Sequence, residues 1–320
     1  VKTIAFAGIA LLAAGSVFAQ AYPNRPIRMI IPWPPGQATD LAGRVIAQEL
    51  QKALGQPVVP DNRPGAGGTI GTDVVAKAAP DGYTILAASS GPITTAPLLQ
   101  KVPYNVDKDL VPVFRVGRSP YLLVAHPSFP ANNAKEFIAL LRANPGKYTF
   151  GSSGTGAAAH LIIEMFNAAA QVQAVHVPYK GSSPSLTDLM AGQLGYSLET
   201  LAATGPHVRS GKLKTFGVTF EKGTALAPDV PPLAKAADLP GFDAGAWLGV
   251  MVPAGTPKEI VTRLAAETEK AVQSAEVRER FNSILVELIP GSTETFASFL
   301  KSESARYAAI IKQANIKIDP

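Results

Sequence analysis

The sequence contains no cysteine, which excludes disulfide bonds, a lipid-modified thiol and metal thiolates. Histidine is scarce. His126, His160, His176 and His207 include no pair at the i, i+4 spacing that sets two imidazoles on one helical face, so no metal or other cofactor is expected. Charged residues make up 17% of the chain, and the net charge of +5 is spread without a basic block, which argues against a nucleic-acid partner. Long apolar runs are also missing. The first one, Ile4 to Leu12, is cut short by Gly15, Ser16 and Gln20, below the roughly 20 residues needed to span a bilayer.

What is present is a chain of 320 residues, 47% of them hydrophobic, enough to bury the cores of about two domains. Lys2, the apolar run after it and the small residues at Val17-Phe18-Ala19 or Ala19-Gln20-Ala21 read as a signal peptide over residues 1–21. Cleavage after Ala19 or Ala21 would release the protein into the periplasm.

Beyond that leader, short apolar runs alternate with amphipathic ones. Ile27–Ile31 reads as a buried strand. A helix follows, with Thr39 or Asp40 as N-cap, Leu41, Val45, Leu50 and Leu54 on one face, and Gly55 as the stop. Strands at 57–59 and 83–88 flank a helix at 69–77, and a second unit repeats the grammar: strand 148–152, helix 157–170, strand 172–177, helix 184–191. A further strand is expected near 214–219, and helices at 257–272, 275–284 and 293–314 close the chain. This alternation predicts an α/β fold of two lobes, each a parallel sheet covered by helices, with a ligand cleft between them. Lobe 1 would take residues 22–123, lobe 2 residues 124–245, and residues 246–320 would return to lobe 1.

Ligands in such sheets collect at the carboxyl ends of strands. Two loops that open helices fall there, Pro32 to Asp40 and Gly151 to Gly156, and the strand ending at Ser89 and Ser90 points to the same crevice. Helix starts leave backbone N–H groups unpaired and favour an anion. The candidate ligand contacts are therefore Trp33, Pro35, Gly36, Gln37, Ala38 and Thr39 from the first loop, and Ser152, Ser153, Gly154, Thr155 and Ala157 from the second. Neither loop holds Arg or Lys, so neutral donors would do the binding. Asp40, beside an anion site, is expected to cap its own helix or to order waters. His160, one turn into its helix, either donates to the ligand or packs against backbone.

With those residues in place, the sequence resembles the Bug/TctC family of solute receptors associated with tripartite tricarboxylate transporters. The matching segments include Arg25-Pro26-Ile27, Pro35-Gly36 through Asp40, Asn62-Arg63-Pro64-Gly65-Ala66-Gly67-Gly68, Pro80-Asp81-Gly82-Tyr83-Thr84, Ser152-Ser153-Gly154 with His160-Leu161, His176-Val177-Pro178-Tyr179-Lys180-Gly181 and Pro253-Ala254-Gly255-Thr256-Pro257. The resemblance implies a type II periplasmic binding protein fold. It also implies a small organic carboxylate held mainly by main-chain N–H groups and bridging waters, a monomer, and membrane permease subunits as partners. Three places depart from the family pattern: Trp33 stands where Phe is usual, Gln37 where a second Gly is usual, and Glu199-Thr200 where Asp-Asn is usual. Glu199 would pair with a ligand amine or repel a second ligand carboxylate, unless it faces solvent. Tyr179 would bond the ligand, line the cleft or belong to the core.

A dinucleotide-dependent enzyme is the remote alternative, because Gly154-x-Gly156-x-x-Ala159 after a strand fits a loose dinucleotide fingerprint. The acidic residue that fingerprint needs at the end of the next strand is replaced by Pro178-Tyr179. The serine-hydrolase pattern G-x-S-x-G is not met by Gly151-Ser152-Ser153-Gly154-Thr155 either. A binding protein without enzymatic activity is expected, and a receptor feeding a signalling system stays open on the same fold.

Overall fold

The computed structural model describes residues 22–316, and the signal-peptide reading lies outside them. In chain order the elements are β1 (Ile27–Ile31), α1 (Ala38–Leu54), β2 (Val58–Asn62), α2 (Thr69–Ala76), β3 (Thr84–Ser89), α3 (Ala96–Leu99), α4 (Val106–Asp109), β4 (Leu110–Ala125), α5 (Ala134–Ala143), β5 (Thr149–Ser152), α6 (Ala158–Ala170) and β6 (Val175–Pro178). There follow α7 (Ser182–Met190), β7 (Tyr196–Thr200), α8 (Leu201–Arg209), β8 (Lys214–Val218), α9 (Leu233–Ala236), β9 (Gly245–Pro253), α10 (Lys258–Gln273), α11 (Ala275–Ser283), β10 (Glu287–Gly291) and α12 (Thr293–Gln313).

The strands join in the order β2-β1-β3-β9-β4-β7-β5-β6, with β8 and β10 also pairing β4. Pairing is parallel in β2-β1-β3 and in β7-β5-β6, as the alternating pattern requires. It is antiparallel wherever β4 or β9 takes part, so the sheet is mixed. β4 joins the two halves. Up to Pro120 it pairs with β9, and from Tyr121 it pairs with β7 and β8.

Each half has its own core. Met29, Ile31, Val45, Leu50, Val250 and Phe281 belong to one, and Phe137, Phe150, Leu161, Phe166 and Tyr196 to the other. The buried face of α1 runs through Ala42, Val45, Ile46, Leu50 and Leu54. Gly55 ends that helix with φ +67°, and its N–H bonds back to the Gln51 carbonyl, the left-handed stop that glycine adopts at little cost. Helix α12 ties the halves together: its Phe296 packs edge-on against Trp247 of β9, and its Tyr307 is buried in the second core.

The start of α1 differs from the sequence expectation. Gln37 is the N-cap, in place of Thr39 or Asp40, and it makes no side-chain capping bond. Asp40 is occupied elsewhere. It accepts the Gly36 N–H at 3.0 Å, Arg44 Nε at 2.9 Å and Asn62 Nδ2 at 2.8 Å, and so holds the Pro34–Gln37 turn against β2.

Candidate functional site

The ends of β1, β3, β5 and β7 meet at a buried cavity of about 20 Å³, room for about one water molecule. Trp33, Gln37, Ala38, Thr39, Ser89, Ser90 and Gly91 line it from the first half, Ser153, Ala158, Glu199 and Thr200 from the second, and Tyr121 and Ala246 from the strands that join them. Four buried polar atoms of this lining make no hydrogen bond: Gln37 Oε1, Ser90 Oγ, Glu199 Oε1 and Thr200 Oγ1. An unpaired buried polar atom costs about 1–3 kcal/mol, so four around one cavity mark a place built for a polar guest. Three larger recesses, of about 700, 620 and 630 Å³, are lined by none of these residues.

Helix starts surround the same space. α1 begins at Ala38 and α6 at Ala158, both in the cavity wall, and neither N-cap residue supplies a side-chain bond to the first turn. α8 starts directly after Thr200, again without a capping bond. The first-turn N–H groups of such helices lack intrahelical partners, and the aligned peptide dipoles put partial positive charge there. The cavity wall contains no Lys, Arg or His.

Trp33 is fixed as one wall, its Nε1 donating to Ser89 Oγ at 2.8 Å. Across the cleft, Gln37 Nε2 donates to Ser182 Oγ, and Ser182 Oγ donates to Glu199 Oε2 at 2.5 Å. The two halves touch again where Ser183 Oγ donates to the Pro35 carbonyl at 3.2 Å and Thr95 Oγ1 to the Gly156 carbonyl at 2.8 Å. Burial pushes the Glu199 carboxyl up to about 7, against the Ser182 and Ser153 hydroxyls and the Thr200 and Ser153 backbone, which favour its charged form. Burial also raises the Tyr121 hydroxyl well above its ordinary value, and the neighbouring Glu199 adds to that.

Of the residues singled out in the sequence, Trp33, Gln37, Ala38, Thr39, Ser89, Ser90, Ser153, Glu199 and Thr200 are brought into the cavity wall. The others stand behind it. The Pro35 carbonyl takes the Ser183 bond, Gly36 is tied to Asp40, and Ala157 is the N-cap of α6. Ser152 Oγ lies 2.6 Å from His176 Nε2 and accepts the Gly154 N–H at 3.2 Å. The Thr155 carbonyl approaches Gly67 of the first half. His160 Nδ1 accepts the Gly156 N–H at 3.3 Å while its ring stacks on His176 with centroids 3.7 Å apart. Tyr179 gives its hydroxyl to Asp188 at 2.6 Å. Burial holds His160 down at about 3 and His176 at about 4, with the two rings' mutual repulsion adding at His160. These groups brace the second loop from behind.

The sequence reading missed Tyr121 and Ser182. Tyr121 sits in a continuous apolar run that reads as core. Ser182 follows Gly181 at a helix start, the same signal that marked the other loops.

Two lobes meeting at a polar cavity ringed by helix starts define a solute-binding receptor, and the fold is that of type II periplasmic binding proteins. Residues 42–316 match the tripartite tricarboxylate transporter family receptor, TctC, and the chain belongs to this family. Protein BugT of Bordetella pertussis is 38% identical over 322 residues, covering 99% of this chain and 98% of that protein. The solved structure of Rhodopseudomonas palustris Rpa4515 with adipate has a TM-score of 0.88 and 32% identity, covering 92% of this chain and 99% of the other. That of MatC (Rpa3494) from the same organism, with bound malate, has a TM-score of 0.84 and 30% identity, covering 91% and 100%. The family and its structural neighbours are binding proteins, not enzymes.

Proposed function

We infer that this protein captures a small organic carboxylate in its interlobe cavity, in the periplasm, and delivers it as a monomer to the membrane subunits of a tripartite tricarboxylate transporter. The observation that carries this reading is the convergence of uncapped helix starts from both lobes on one cavity with four unpartnered polar atoms. Backbone N–H groups and the dipoles behind them hold an anion without a cationic side chain. Adipate and malate on two neighbours support the ligand class.

With residues 22–123 and 246 onward as lobe 1 and 124–245 as lobe 2, β4, β9 and α12 connect the lobes. The cavity in this form holds about one water, so capture is a hinge motion in which the lobes part to admit the carboxylate and close around it with the cavity widened. The interlobe bonds of Gln37, Ser183 and Thr95 stabilise the closed form.

Isothermal titration calorimetry against mono-, di- and tricarboxylates, amino acids, aromatic acids and a neutral sugar tests the reading. One-to-one binding of a carboxylate is expected. Binding of the sugar with no heat from any carboxylate would overturn it.

A further inference from the structure

The cavity is polarised, with donors on one side and acceptors on the other. Ser182 carries a single hydroxyl proton and gives it to Glu199 Oε2 at 2.5 Å. With Glu199 ionised, as beside an ammonium group, Ser182 must therefore receive its own bond from a donor, which sets the amide nitrogen of Gln37 toward Ser182. The Gln37 oxygen is then left for the cavity, together with Glu199 Oε1; neither accepts a hydrogen bond of good geometry, although Ser153 and Thr200 donors lie beside the Glu199 carboxylate. A carboxamide oxygen and an ionised carboxylate oxygen can only accept. Both side chains are more than nine-tenths buried.

The rest of the wall can donate. The Ser90 and Thr200 hydroxyls are unpartnered, and α1 and α6 present uncapped first turns. A plain carboxylate would satisfy these donors but leave two acceptors bare, with its charge beside a second buried carboxylate. An ammonium group carries three donors and a compensating charge.

We propose that the ligand is an amino-carboxylate: its carboxylate meets the helix starts, and its ammonium group docks on Gln37 Oε1 and Glu199 Oε1. This rests on the carboxylate reading above and narrows it, setting the receptor apart from neighbours solved with adipate and malate. Burial raises the Glu199 carboxyl, and an ammonium partner would return it to the charged form.

The test is calorimetry with pairs of acids that differ only by the amino group: aspartate and succinate, glutamate and glutarate, alanine and propionate, phenylalanine and 3-phenylpropionate. Wild type, Glu199→Gln and Gln37→Met are titrated after thermal melts show that each variant is folded. The amino member of at least one pair is expected to bind roughly tenfold to a hundredfold tighter than its partner, the range of a charge-assisted bond. Glu199→Gln should erase that preference, weakening the amino member of the pair and strengthening the amine-free one as the buried charge beside it is lost, and Gln37→Met should reduce it. Should Glu199→Gln not fold, Gln37→Met decides alone. Amine-free acids that bind as well or better, in an order both variants preserve, would overturn the proposal and leave the carboxylate reading intact. Silence across every pair would overturn both.

Discussion

Gly67 and Thr155 face each other across the cleft with no room for a side chain. A Cβ on Gly67 would stand 2.7 Å from the Thr155 carbonyl oxygen and 3.1 Å from the Ala157 nitrogen. Gly67 belongs to the connector after β2 and Thr155 to the loop before α6, so the contact exists only while the lobes are together. Gly67 already has φ +63°, where alanine costs about 1–2 kcal/mol. Gly67→Ala is therefore expected to remain folded but to resist closure, lowering ligand affinity roughly tenfold, about 1.4 kcal/mol. Small-angle scattering should show the ligand-bound variant more extended than ligand-bound wild type. Unchanged affinity and unchanged dimensions would remove this contact from the closing mechanism.

Ser89 holds Trp33 Nε1 at 2.8 Å in a buried position. Ser89→Ala strands that N–H, and a loss of about 1–3 kcal/mol in folding stability is expected. Urea denaturation measures it. A loss within error would mean that the indole finds another acceptor, and Trp33 would no longer count as a fixed wall of the site.

Asp40 receives three bonds, from Gly36, Arg44 and Asn62, with its own side chain 2% exposed. Asp40→Ala leaves three donors without their shared acceptor; the half-exposed Arg44 is resolvated by water, and the loss expected from the remaining bonds, about 2–3 kcal/mol, is larger than that of Ser89→Ala. The same denaturation series ranks the two. The reverse order would show that the turn before α1 holds its shape without this carboxylate.

The stacked pair His160 and His176 sets a pH dependence. Both are held neutral in the folded chain, at about 3 and about 4 against an ordinary 6.5. Below pH 6.5 the unfolded chain takes up protons that the folded one refuses, so stability is lost as the pH falls from there toward 4 and then 3. Glu164, raised to about 6, and Glu199, raised to about 7, act in the opposite sense, because their folded forms bind protons earlier than the unfolded chain. The comparison between variants isolates the imidazoles. His176→Phe, which keeps a ring against Phe150, should lose less stability between pH 6.5 and 4.5 than wild type in thermal melts. Parallel pH profiles would contradict the assignment.

Much of this architecture was legible in the chain because each local signal has a physical cause. Ile27–Ile31 is a buried parallel strand, and buried parallel strands read as continuous apolar runs. Gly55 stops its helix where backbone geometry requires a left-handed residue. β9 was not foreseen. Gly245–Pro253 is buried almost throughout and shows no period of two, and its partners β3 and β4 lie far away in sequence. The parallel expectation failed at β4 and β9 for the same reason, since strand direction there is set by a long-range return that local pattern does not encode.

At the candidate site, glycine, proline and serine punctuation at strand ends pointed to Gln37, Ser89 and Ser153, which line the cavity. Whether a loop residue faces the cavity or stands behind it was not legible. Asp40, His160 and Tyr179 carry polar groups near the right loops, yet each has a protein partner that turns it away. Tyr121 reaches the cavity because β4 changes partners at that residue, a tertiary fact with no local signature.

The most direct measurement is a crystal structure of the protein with the tightest-binding carboxylate from the calorimetric panel. The expected density places the ligand carboxylate within about 3 Å of backbone N–H groups in the first turns of α1 and α6, between Trp33 and Glu199. A ligand seated in the recess beside Lys101 and Lys301, or held there by those lysines, would contradict the clamp of two helix starts.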